Sequence, residues 1–68
     1  MPTMESRQRR YFCEIAEAGS FTAAAVRLRV AQPALSRQIA SLERDLGAAF
    51  FLRGPGGVKL TPSGEILL

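Results

Sequence analysis

The chain has 68 residues, a formal net charge of +3 and a hydrophobic content of 47%, which is typical of a globular protein and excludes an intrinsically disordered one. A chain this short forms one small domain with a compact core. Its one cysteine, Cys13, and its lack of histidine exclude an internal disulfide framework and the usual zinc sites. There is no apolar run of the roughly 18 residues that span a bilayer, and no signal peptide at the start. We therefore expect a cytoplasmic protein without a membrane partner or a cofactor.

Basic residues lie in two long stretches that contain no acid. These stretches are residues 18–42 and 46–64, and their basic members are Arg27, Arg29, Arg37, Arg53 and Lys59. Such a charge distribution favours a polyanionic partner, although a solvated basic surface would have the same composition.

The first predicted helix covers residues 6–18. Phe12, Ile15 and Ala16 have the i, i+3, i+4 spacing of a buried stripe. We expect Cys13 to lie among these core residues as a small hydrophobic side chain.

A second, shorter helix is predicted over residues 21–28. Gly19 ends the helix before it, and Ser20 is a good N-cap. Ala24 and Ala25 are small enough to let another helix cross closely.

The third predicted helix covers residues 32–46, has Pro33 near its start and is stopped by Gly47. Steps of 100° per residue place its aliphatic residues on one stripe. The opposite face is small, polar and basic near its amino end and consists of Pro33, Ser36, Arg37, Ala40 and Arg44.

A β-hairpin and the start of a fourth helix complete the chain. The residues around "GPGG" predict strands at 50–53 and 58–60 with a tip at 54–57. We expect Phe50 and Phe51 to anchor the hairpin in the core, and a fourth helix to begin at about residue 62. Three helices followed by a hairpin form a mainly α winged helix-turn-helix, in which the third helix can enter the major groove of DNA.

The motifs "SFTAAA", "QPALSRQI", "LERDLG" and "LTPSG", taken together, resemble the amino-terminal domain of LysR-type transcriptional regulators. The resemblance runs from about Met4 to Leu68. It implies a bacterial regulator that binds operator or promoter DNA, and a homo-oligomer that pairs through a linker helix. It also implies a small-molecule inducer, which a separate effector domain absent from this chain would bind. We accordingly expect a DNA-binding domain over residues 1–61 and the truncated start of the linker helix over residues 62–68.

The resemblance also implies which side chains contact DNA. The recognition-helix candidates are Gln32, Pro33, Ser36 and Arg37. Gln32 reads adenine or caps the helix, Ser36 contacts a base or a phosphate or is simply solvated, and Arg37 pairs with guanine or clamps a phosphate.

The remaining candidates lie outside the third helix, and they are Ser20, Thr22, Arg53 and Lys59. Ser20 caps its helix or contacts the DNA backbone, as does the nearby Thr22 hydroxyl. Arg53 is expected to reach the backbone or the minor groove, while Lys59 contacts DNA or is solvated. The chain departs from the family at Gly56, where a second wing arginine is usual, and at Ala31, where serine is commonest.

Two other classes of function fit the sequence less well. No histidine, carboxylate pair or phosphate loop supports an enzyme. A winged helix used for protein–protein interaction or dimerisation would present an acidic or apolar third helix, and the face with Arg37 and Arg44 argues against it. Sequence-specific binding of double-stranded DNA is therefore the function that the sequence predicts.

Overall fold

A computed structural model describes residues 5–68. Residues 1–4, which belong to the predicted DNA-binding domain over 1–61, lie outside the described part of the chain. The elements are α1 (Ser6–Ala18), α2 (Phe21–Leu28), α3 (Gln32–Leu46), β1 (Phe51–Gly54), β2 (Gly57–Leu60) and α4 (Pro62–Leu67). The winged helix-turn-helix architecture is confirmed, and so are the predicted bounds of the first three helices.

Local signals account for the helix ends. Gly19 and Gly47 close α1 and α3 with φ values of 71° and 70°, in the left-handed region that glycine tolerates. The Ser20 hydroxyl caps α2 by accepting a hydrogen bond from the Ala23 N–H at 3.0 Å. Arg29 ends α2 with a φ of 58°, and it is the one non-glycine residue with positive φ in the described chain. The sequence gives no sign of that conformation.

The hairpin has a tighter turn than the sequence predicted. Its strands are antiparallel and their register joins Gly54 to Gly57, so the connection is only Pro55 and Gly56. The first strand starts at Phe51, one residue later than expected. The two glycines extend the ladder by one pair and therefore belong to the strands.

One core lies between the three helices and the base of the hairpin. Phe12 packs against Phe50 and Phe51 with ring centroids 5.9 Å and 5.2 Å apart, and Phe21 packs against Phe51 at 5.7 Å. The predicted anchoring of the hairpin by its two phenylalanines is thus confirmed. The most deeply buried residues are the aromatic and aliphatic members of the helix stripes, together with one alanine of α2: Phe12, Ile15, Ala24, Leu35, Ile39 and Leu42.

The prediction for Cys13 is wrong, because its thiol is exposed. The buried positions of α1 are Gln8, Phe12 and Ile15. One step of 100° from Phe12 carries Cys13 out of that stripe. Gln8 takes a core position instead, and its Oε1 accepts a hydrogen bond at 3.2 Å from the N–H of Glu5, the N-cap residue of α1.

Hydrogen bonds attach the wing to the α1–α2 turn near its tip and close the hairpin at its base. Near its tip, the Val58 N–H donates to the Gly19 carbonyl at 3.0 Å. At its base, Thr61 donates through its hydroxyl to the Ala49 carbonyl at 2.6 Å and through its N–H to the Phe50 carbonyl at 3.0 Å. The first contact joins the hairpin to the turn between α1 and α2, and the other two hold the ends of its strands together. None of the helices between residues 5 and 68 is long and apolar enough to cross a membrane.

Candidate nucleic-acid interface

The first half of α3 presents a small and cationic outer face. Pro33, Arg37 and Ala40 are exposed, and Ser36 is half-buried at their edge. Leu35 and Ile39 fill the core on the opposite side and fix the rotation of the helix. Ala31 offers no side-chain cap, so the N–H groups of the first turn are not covered by a side chain. The outward placement of Pro33 and Arg37 matches the helical-wheel prediction.

Ser36 joins the recognition helix to the wing. The Gln32 Nε2 atom donates a hydrogen bond to the Ser36 Oγ atom at 2.7 Å. An Nη atom of Arg53 donates to the same oxygen at 3.3 Å. The structure therefore brings three of the predicted site residues into one cluster, which we call the Ser36 cluster (Gln32, Ser36 and Arg53).

Arg53 reaches this cluster because of the alternation of β1. Phe51 and Arg53 share the inner face of the hairpin, whereas Leu52 between them lies on the outer face and is 62% exposed. The Arg53 guanidinium stacks on the ring of Phe21, with its central carbon 3.8 Å from the ring centroid. The side chain thus lies between the start of α2 and the start of α3.

The other predicted residues are not all on the same surface as this cluster. Thr22 is exposed and directly follows Phe21, so it borders the same surface. Ser20 serves α2 as its cap. Lys59 pairs with Leu52 in the register of the hairpin, which places it on the outer face, away from Arg53. The eight predicted residues therefore do not form one continuous patch.

The charges on this surface are unpaired. In residues 5–68 the two ion pairs both involve Arg27, whose guanidinium contacts Glu14 at 3.3 Å and Glu17 at 3.8 Å. The charge of Arg27 is therefore paired with carboxylates of α1. Arg37, Arg53 and Lys59 have no carboxylate within ion-pair distance among the same residues. Their positive charge is available to an external anion.

A family model described as "Bacterial regulatory helix-turn-helix protein, lysR family" matches residues 6–65, which include α1 to β2 in full and the first four residues of α4. The chain belongs to the LysR family. The resemblance noted from its motifs is thus confirmed.

Two LysR-family relatives illustrate the match. The transcriptional regulator TfdT of Cupriavidus pinatubonensis is 52% identical over 65 residues, and ClcR of Pseudomonas putida is 51% identical over 65 residues. Each alignment covers 96% of this chain but only 28% of TfdT and 22% of ClcR. The chain therefore spans about a quarter of the length of these relatives.

Solved structures of the LysR family share the fold closely. A complex of the CbnR DBD with DNA matches with a TM-score of 0.91 and 48% identity, over 96% of this chain and 75% of that one. A complex of the BenM DBD with benA site 1 DNA matches with a TM-score of 0.87 and 51% identity, over 93% of this chain and 73% of that one.

Sequence reasoning missed two residues that shape the site of this LysR-family chain. The sequence did not indicate that the guanidinium of Arg53 stacks on the ring of Phe21. Glu43 accepts a hydrogen bond from the Phe50 N–H at 2.7 Å and so ties the end of α3 to the base of the wing. An acid in the last turns of a helix is disfavoured by the helix dipole, which was a signal for a tertiary partner. The signal is not selective, because the exposed Asp45 shares it.

Proposed function

We propose that this chain binds double-stranded DNA in a sequence-specific manner, as the DNA-binding domain of a bacterial LysR-type transcriptional regulator. The first half of α3 enters the major groove, which is about 12 Å wide and admits a helix. The observation that carries the proposal is the outer face of α3, where unpaired Arg37 lies between Pro33 and Ala40 and beside the Ser36 cluster. The similarity to LysR-family domains solved on DNA supports it.

Each predicted site residue has a role in this proposal. Arg37 reaches guanine or a phosphate, and Pro33 allows the helix start to approach the groove closely. Gln32 and Ser36 contact base edges through the polar atoms that the Ser36 cluster leaves free. Thr22 and Ser20 lie where the start of α2 would meet the DNA backbone.

The wing supplies charge from both of its faces. Arg53 on the inner face and Lys59 on the outer face add phosphate contacts along the backbone or at the minor-groove edge. The tip itself carries no cation, because it reads "GPGG". Groove insertion by a tip arginine is therefore not part of the proposal.

We further propose that residues 1–61 form the DNA-binding unit and that residues 62–68 belong to a linker helix through which copies of the regulator pair. Ile66 on α4 is 88% exposed. It lies beside an apolar groove formed with Leu46, Ala48, Phe50 and Leu67. An apolar surface of this kind suits a helix–helix contact.

Because the partner is operator DNA, we place the protein in the cytoplasm at the nucleoid, and we assign it no enzymatic role.

Selection of duplexes from a random pool tests the proposal directly. We expect recovery of a preferred site that the chain binds more tightly than a scrambled duplex at the same ionic strength. Recovery of no preferred sequence would refute sequence-specific binding, and no binding to any duplex would favour an interaction with protein instead.

Two arginine variants on the same face of α3 sharpen the test. Arg37→Ala should reduce the preference for the selected duplex by about 1–3 kcal/mol. Arg44→Ala removes another exposed arginine two turns later, and it should leave the preference unchanged. Equal losses on selected and scrambled duplexes for Arg37→Ala would make Arg37 a phosphate contact only.

A further inference from the structure

The hydroxyl of Ser36 has only one hydrogen-bonding capacity left. A serine hydroxyl can donate one hydrogen bond and accept two. The Ser36 Oγ atom already accepts from the Gln32 Nε2 atom at 2.7 Å and from an Arg53 Nη atom at 3.3 Å. The hydroxyl proton is therefore free, whereas both lone pairs are occupied.

Arg53 occupies one of these two lone pairs and is itself held in place. A guanidinium has five N–H donors and no acceptor, so its contact with Ser36 has only one possible direction. Stacking on Phe21 at 3.8 Å positions the guanidinium, and Phe21 is buried against Phe51 at the base of the wing. The wing thus acts on the recognition helix through a side chain with a fixed orientation.

We infer that Arg53, together with Gln32, makes Ser36 an obligatory hydrogen-bond donor toward DNA, so that the base facing Ser36 must present an acceptor. The inference rests on the proposed function and adds a specificity rule to it. Arg53 is then a positioning residue for base readout, in addition to any phosphate contact of its own.

The rule excludes one base. In the major groove adenine presents N7, guanine N7 and O6, and thymine O4 as acceptors, while cytosine presents only its N4 amino donor. An oxygen whose lone pairs are occupied cannot accept from that amino group. Cytosine should therefore be rejected in the strand that Ser36 faces, and the three other bases should be tolerated there.

Base-pair substitution across the selected duplex tests the rule, with binding followed by fluorescence anisotropy. The position that Ser36 reads is the one at which Ser36→Ala abolishes a preference of the unaltered chain. We expect that chain to bind the cytosine duplex about five- to tenfold more weakly at this position, as for the loss of one hydrogen bond. Tolerance of cytosine there would overturn the rule, as would the absence of any position that responds to Ser36→Ala.

Two methionine variants of the hairpin test the part played by Arg53. Arg53→Met frees a lone pair on Ser36, and it should reduce the cytosine penalty to about twofold or less. Lys59→Met removes one charge from the opposite face of the same hairpin. It should weaken binding to all duplexes and retain the penalty. An unchanged penalty in Arg53→Met would overturn the inference, and circular dichroism verifies that both variants are folded.

These outcomes separate the inference from the function on which it rests. If selection recovers no preferred duplex, the proposed function fails first. If a preferred duplex is recovered but cytosine is accepted opposite Ser36, binding stands and only the rule is wrong. The comparison of the unaltered chain with Ser36→Ala involves no change at Arg53, so it decides the rule even if Arg53→Met does not fold.

Discussion

Replacement of Gly57 by alanine should disrupt the packing of the wing against the α1–α2 turn. Gly57 has a φ of 109°, and a Cβ atom at this position would lie 2.4 Å from the Gly19 carbonyl oxygen. The atom in the way belongs to the backbone and not to a flexible side chain. The next residue, Val58, donates its N–H to that same carbonyl at 3.0 Å. Relief of the clash therefore requires the wing to move and this hydrogen bond to lengthen or break.

The expected loss has two parts. A positive φ at the introduced alanine destabilises the folded state by about 1–3 kcal/mol. Loss of the hydrogen bond destabilises it by a further amount of about 0.5–1.5 kcal/mol. The free energy of unfolding should fall by roughly 1.5–4.5 kcal/mol in total. Small domains have total stabilities of about 5–15 kcal/mol. In a domain of this size the change corresponds to a decrease in Tm of roughly 10–30 °C.

Urea unfolding followed by circular dichroism measures the loss, with Gly54→Ala as the control. Gly54 is the cross-strand partner of Gly57 and does not have positive φ. A Cβ atom at Gly54 would meet no heavy atom within 4 Å beyond its chain neighbours. We expect Gly54→Ala to remain within about 0.5 kcal/mol of the unaltered chain. If both variants unfold at the same urea concentration, the close approach of the wing to the α1–α2 turn does not contribute to stability, and the reasoning is refuted.

Two further predictions concern the base of the wing and the assembly of the chain. Glu43→Ala removes the acceptor of the Phe50 N–H and should lower the free energy of unfolding by about 1.5–3 kcal/mol in the same assay. Asp45→Ala, at an exposed site in the same helix, should change the free energy of unfolding by less than about 0.5 kcal/mol. Equal effects of the two variants would show that the Glu43 contact is not formed in solution. We expect the 68-residue chain to sediment as a monomer or a weak dimer at micromolar concentration, because α4 has only six residues. A tight dimer would contradict this, and Ile66→Asp would then test whether α4 forms the contact.

Local sequence signals predicted the secondary structure well, for identifiable reasons. Gly19, Ser20 and Gly47 act on the backbone next to them, so their effects do not depend on the rest of the fold. The apolar stripe of α3 likewise needs only the period of the helix. The hairpin was placed correctly from "GPGG", but its strand bounds differ by one residue, because cross-strand pairing of the flanking glycines decides where the ladder ends.

Contacts between distant residues were not predictable in the same way. The error at Cys13, in contrast, arose within one helix, since the stripe through Phe12 and Ile15 extends to position 8 and not to position 13. The contact of Glu43 with Phe50 joins two elements across a turn whose shape the sequence does not specify. A side-chain contact that forms only in the folded protein produces no periodic pattern in the sequence.

The sequence by itself determined the three helices, the wing and the outward face of α3, because capping, glycine conformation and helical periodicity are local properties of the chain. The motifs also identified the family. Only the tertiary structure decided that Arg53 turns inward to meet Ser36 and Phe21, while Lys59 faces away on the other side of the hairpin. That outcome depends on how the wing docks against the helices, and docking is set by the packing of aromatic rings and by backbone contacts between residues far apart in the chain.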